Sequence, residues 1–191
     1  MILALLRGSL GFAVVSLGAF AVWAFGGSWF KHHGGDPAMY AGVAAVFVSL
    51  TGLALSPLVQ RPRRLVTFYS IFVPAFLAYT AAWCAIYFKL GRGLGEWLAS
   101  AGGAAAFASI ACPLLGNRRA IPKSAVALFI GHSLGYFLGG PIHYAMTGDL
   151  GTLGRLLWGL LYGLGFGAGI GYCFHAAQAG TKPRDAAPPS G

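Results

Sequence analysis

Residues 158–172 read WGLLYGLGFGAGIGY and place Gly159, Gly163, Gly167 and Gly171 four residues apart, with Gly165 and Gly169 between them. In the interior of a soluble helix each glycine costs about 0.5–1 kcal/mol relative to alanine. Six of them in one short stretch therefore exclude an ordinary water-soluble helix. In a bilayer the backbone has to satisfy its own hydrogen bonds, and glycines at this spacing make a groove into which a second helix can press closely. The preceding apolar run supplies a mate in Gly131, Gly135 and Gly139. The expected pairing is the Gly159/163/167/171 stripe of the last span against this edge.

Outward from that stretch, the composition agrees. Hydrophobic residues make up 57% of the 191, charged residues 9%, and mean hydropathy is +0.70, whereas a soluble domain carries about 25% charge. A spanning helix needs about 20 apolar residues, and six such runs occur at 8–27, 39–59, 66–88, 97–115, 123–143 and 153–177. The fold class is all-α: a polytopic membrane protein of six transmembrane helices over 1–177, with a polar, Pro-rich 178–191 read as a disordered cytoplasmic tail. No loop can hold a soluble catalytic or DNA-binding domain, so the net charge of +9 points to no nucleic acid partner. It sets orientation instead. Arg7, Arg61, Arg63, Arg64, Arg118, Arg119, Lys123, Lys182 and Arg184 fall on one side of a six-span arrangement, against Lys31, Lys89, Arg92 and Arg155 on the other. By the positive-inside rule both termini are cytoplasmic, and Trp23, Trp29, Trp83, Trp97 and Trp158 form an interfacial belt on the outer side. The expected location is a bacterial inner (plasma) membrane. Arg7 followed by Ala19-Phe20-Ala21 also resembles a secretory leader, but the run stays apolar through Phe25 and is read as a retained helix.

Three helical hairpins repeat along the chain. Trp29-Phe30-Lys31, Tyr87-Phe88-Lys89 and, more weakly, Ile142-His143-Tyr144 each precede a Gly-rich outer turn, and Ser56-Pro57-Leu58 and Cys112-Pro113-Leu114 each precede an arginine pair. The period is about 55 residues. Pro57 and Pro113 bend or end their helices, and Pro74 kinks the third. Cys84, Cys112 and Cys173 form no CxxC and are read as reduced packing residues at differing depths. Six helices arranged as three hairpins resemble the architecture of the urea and amide channels. This likeness is architectural only: no motif matches, the inferred orientation is reversed, and no residue roles carry over.

Candidate chemistry is sparse. The only acids, Asp36, Glu96, Asp149 and Asp185, sit in loops or the tail, which disfavours ion-coupled transport. Gly131-His132-Ser133-Leu134-Gly135 resembles the GxSxG nucleophile elbow of α/β-hydrolases, but that motif works on a strand-to-helix turn with an acid at hand, and here it lies within an apolar helix. His132 remains as a polar ring near mid-membrane that needs a partner, such as a backbone carbonyl or a tyrosine of another helix. His143 follows 11 residues later on nearly the same helix face, so the pathway or ligand candidates are His132, His143 and Ser133. His32 and His33 share the outer surface with acidic loops; His175 lies near the inner end, so no second histidine matches the depth of His132 as an axial haem ligand. No cofactor and no metal is expected. The function expected is a pathway, channel or facilitator, for a small uncharged solute. The alternative is a non-catalytic membrane subunit, with the lipid bilayer and either a homo-oligomer or other membrane subunits as partners. An intramembrane enzyme or cofactor protein built on His132, Ser133 and His143 ranks third.

Overall fold

The computed structural model describes residues 1–179. Its six helices are α1 (Ile2–His32), α2 (Gly35–Leu55), α3 (Arg64–Leu90), α4 (Leu94–Leu115), α5 (Ile121–Ala145) and α6 (Gly151–Gln178). All six spanning segments are long and apolar enough to cross a membrane, and no strand occurs among the described residues. Each helix overruns its apolar run, because the backbone bonds of the interfacial turns still close within the helix. At one end the breaks are glycine turns: Gly34, Gly35, Gly91, Gly93 and Gly148 all have positive φ. At the other end the breaks hold short 3-10 turns, Ser56–Leu58 with Pro57 and Arg118–Ala120, the second preceded by Gly116, which ends α4 with a positive φ; a third 3-10 turn, Gly148–Leu150, lies at the first end. These two ends are called the tryptophan-rich and the arginine-rich end below. The tail reading for 178–191, with Lys182, Arg184 and Asp185, lies outside the described residues from 180 onward.

The helices pair as three antiparallel hairpins, α1–α2, α3–α4 and α5–α6, as the repeat implied. Packing between hairpins is unequal. Helix α6 lies against both α1 and α5 over most of its length and also touches α4, whereas α2 and α3 meet only thinly.

The glycines of α6 explain its position, and they correct the expected pairing. The stripe Gly159, Gly163, Gly167 and Gly171 faces α1 and not α5. A methyl group on Gly163 would sit 2.6 Å from Ala13 Cα, and one on Gly159 2.6 Å from Phe20 Cγ. Methyls on Gly167 and Gly171 would overlap the carbonyl oxygens of Gly8 and Ala4. The edge Gly131/135/139 of α5 does pack on α6, but through Gly165, Leu161, Tyr162 and Trp158. Gly131 and Gly165 face one another so closely that a methyl on either would overlap the other's carbonyl oxygen. The reason is angular. At 100° per residue, positions 159, 163, 167 and 171 drift slowly round one side, while 161, 165 and 169 lie on a separate side. Two small-residue grooves therefore occupy one helix. Ser9 Oγ adds a hydrogen bond to the Leu164 carbonyl across the α1 contact, 2.9 Å.

Toward the arginine-rich end the space between the helices is filled by the fully buried rings of Phe12, Phe68, Phe72, Phe107, Phe166 and Phe174. Phe68 stacks on Phe72 at 5.1 Å and on Phe174 at 5.6 Å. Cys112 and Cys173 sit in this layer with sulfurs 3.9 Å apart, at one depth, which corrects the expected scatter for this pair. Gln178 closes the end: its amide donates to the carbonyls of Leu58 and Phe174, and its oxygen accepts from the Gln60 N–H. Arg61 donates to the last carbonyls of α4, Leu114 and Leu115, satisfying groups that a helix end leaves open.

Gly165→Ala places a methyl against the Gly131 carbonyl, and this overpacking is expected to destabilise the bundle by about 1–3 kcal/mol. Gly140→Ala, where an added methyl meets nothing within 4 Å, should leave stability unchanged or slightly raised. Thermal melting of both variants in the same detergent checks the contrast.

Candidate functional site

His132 sits on the face of α5 turned toward the bundle interior and is 2% exposed. Its Nδ1 is 2.8 Å from the Tyr79 hydroxyl of α3, a buried hydrogen bond between the two side chains. Tyr79 can reach that position because Gly103 of α4 lies directly under its ring: a methyl there would be 2.8 Å from Tyr79 Cδ2. Around the imidazole, Tyr136 stacks at 5.5 Å, while Tyr162 and Phe166 stand edge-on at 5.5 and 5.6 Å. None of these neighbours is a second histidine, so the ring has an aromatic cage and no axial-ligand partner. In the tautomer that accepts the Tyr79 O–H, Nε2 carries the proton, and this buried atom has no hydrogen-bond partner.

From His132 the aromatic contacts continue to the tryptophan-rich end. Tyr136 meets Trp83 at 6.1 Å and Trp158 at 5.7 Å. Trp158 in turn stacks on His143 at 5.4 Å, and His143 meets Trp23 edge-on at 5.6 Å. Arg155 lies over the Trp23 ring, 5.0 Å from its centroid, a cation–π contact. The two candidate histidines are thus joined through Tyr136 and Trp158, each in its own aromatic surroundings. This half of the bundle also holds most of the unpaired buried polar atoms: Trp83 Nε1, His132 Nε2, His143 Nδ1, Arg155 Nε and Trp158 Nε1. Such groups cost about 1–3 kcal/mol each when left without a partner.

A cavity of about 240 Å³ opens at this end, lined by Arg92, Glu96, Tyr136, Tyr144 and Trp158 among others. Glu96 accepts from the Gly93 N–H at 3.0 Å, capping α4, and its other oxygen accepts from the Tyr136 hydroxyl at 3.3 Å. A continuous line therefore runs from the cavity through Tyr136 to His132 and Tyr79.

Ser133 is buried, yet its hydroxyl has no hydrogen-bond partner, so the GxSxG resemblance assembles no serine–histidine pair. His32 and His33 bond back to the carbonyls of Ser28 and Trp29 on their own helix. Among the described residues no group of three or more His, Cys, Asp or Glu side chains converges as a metal site. Tyr79 and Tyr136 carry no reading in the sequence, and Trp83, Glu96 and Arg155 enter it only as a belt tryptophan, a loop acid and an outer-side charge. Only Tyr136 carried a local signal, being one helical turn after His132; Tyr79 lies 53 residues away and meets His132 only through folding. Comparison with protein-family models, with curated proteins and with solved structures finds no match for this chain.

Tyr79→Phe leaves His132 Nδ1 without its hydrogen-bond partner and is expected to lower stability by about 1–3 kcal/mol. Adding His132→Phe to it should recover part of that loss, because removing both partners strands no polar atom. A double-mutant cycle read by unfolding in detergent measures the coupling.

Proposed function

We propose that this chain forms a pathway for a small, uncharged, hydrogen-bonding solute, approached from the tryptophan-rich end. The observation that carries the reading is the set of buried polar atoms without partners among the contacting rings of the tryptophan-rich half: Trp158 Nε1, His143 Nδ1, Trp83 Nε1 and His132 Nε2. A neutral solute with both donors and acceptors can pair with such atoms in turn, and it avoids the cost of bringing a charge into low dielectric. The described carboxylates, Asp36 and Glu96, open helices at the membrane edge, and none is offered to a cation at the depth of His132. The phenylalanine layer beyond His132 is, on this reading, the closed barrier that rotamer changes have to open. The arginine-rich end faces the cytoplasm of a bacterial inner membrane by the positive-inside rule.

A second reading, a non-catalytic subunit of a larger membrane assembly, is favoured by that same filled phenylalanine layer, which needs no solute. Its docking surface is not the glycine stripe, since the two glycine grooves of α6 are covered by this chain's own α1 and α5.

The test is uptake of a panel of small neutral solutes, amides and polyols, into proteoliposomes. Rates above those of protein-free vesicles are expected for at least one solute. His132→Phe, which keeps the ring volume but removes Nε2, should lower that rate by about threefold to tenfold, the worth of about one hydrogen bond. Background uptake across the panel, or a rate indifferent to His132→Phe, overturns the pathway and leaves the subunit reading.

A further inference from the structure

At the arginine-rich end, away from the His132 site, two depressions adjoin and share Arg7 and Pro57. One, of about 630 Å³, is walled by Arg7, Gln60, Arg61, Arg63 and Arg64. The other, of about 560 Å³, runs between α1 and α2 over Leu3, Leu6, Leu10, Gly11 and Ala54. The first is cationic and the second apolar, so together they have the polarity profile of one amphiphile.

Among the described residues no acidic side chain lines the first. Arg61 is committed to the carbonyls of Leu114 and Leu115, but Arg7, Arg63 and Arg64 are exposed. The described acidic side chains, Asp36 and Glu96, stand in the first turns of α2 and α4 at the opposite end. Arg63 is the N-cap of α3, with a φ of +52° that turns the chain into that helix at the rim of this pocket. The apolar trough is equally unpartnered: Leu3, Leu6 and Leu10 on α1 are all exposed.

We propose that this junction binds one anionic phospholipid, its phosphate held by Arg7, Arg63 and Arg64 and one acyl chain lying along the trough between α1 and α2. Its place at the membrane surface is where headgroups lie, and the trough leads from there toward the bilayer core. A zwitterionic lipid carries its own ammonium group, which faces the arginines as a like charge. A free phosphate would leave the trough unfilled. Each arginine near an anionic headgroup favours binding about fivefold.

Native mass spectrometry of the detergent-solubilised protein, titrated with phosphatidylglycerol and phosphatidylcholine of matched acyl chains, tests the site. Phosphatidylglycerol is expected to bind at least about tenfold more tightly. Arg7→Gln with Arg64→Gln, which leaves Arg63 alone on the phosphate, should lower the ratio to about fivefold or less. Arg118→Gln with Arg119→Gln removes the same charge at the same end but outside the pocket, and should preserve the preference. Lipid-free melting of both double variants is expected to match that of the unaltered protein. Glycerophosphoglycerol, the headgroup without acyl chains, should not compete. Equal binding of the two lipids by the unaltered protein overturns the proposal. So does equal loss of preference in both double variants, which marks diffuse charge, or competition by the chainless headgroup, which marks a phosphate site without a lipid groove.

Discussion

The structure depends on backbone-to-backbone contact along α6. In a bilayer the lipid tails are as apolar as the side chains, so burial alone gives helices little reason to associate, and van der Waals contact has to supply it. Glycine brings two backbones within direct reach, as at Gly131 against Gly165 and Gly167 against Gly8. Helix α6 uses this twice, on two sides, and so is fixed between α1 and α5. The remaining helices arrange around that triplet: α2 follows α1, α4 reaches α5 and α6, and α3 is held largely through α4.

With the backbones this close, the interior divides by side-chain chemistry. Toward the arginine-rich end α6 contributes Phe166, Ile170, Cys173 and Phe174 to a buried apolar cluster, closed off by the hydrogen bonds of Gln178. Toward the tryptophan-rich end, α5 and α6 contribute His132, Tyr136, His143, Trp158 and Tyr162, and the same density of rings now carries hydrogen-bonding tips. The boundary between the two halves is the Tyr79–His132 bond, and Gly103 makes it sterically possible.

The six helices, their hairpin pairing and the existence of close-packed glycine faces were legible because each rests on local pattern: apolar length, turn glycines and a four-residue spacing. Which face meets which neighbour was not, since Gly159/163/167/171 and Gly165/169 look alike as spacings and differ only by rotation about the axis once three helices are placed. The need of His132 for a partner was legible from its depth, and a tyrosine on another helix was among the expected types; that it is Tyr79 was not, because nothing in sequence ties residue 79 to residue 132. The joint depth of Cys112 and Cys173, and Arg61 capping α4, likewise arise from where separate helices end relative to one another.

The central place of α6 also bears on how the protein is made. A ribosome delivers α1 to the membrane long before α6, and Ser9 waits for a hydrogen-bond acceptor, Leu164, that lies 155 residues further along the chain. Until then the Gly8–Phe12–Ser16 side of α1 faces lipid without its mate, and the five-helix intermediate has an open seam. The seam closes only once α6 is in place, so a contact of direct backbone approach joins the first and the last of the described helices and ties the two ends of the bundle together in sequence order.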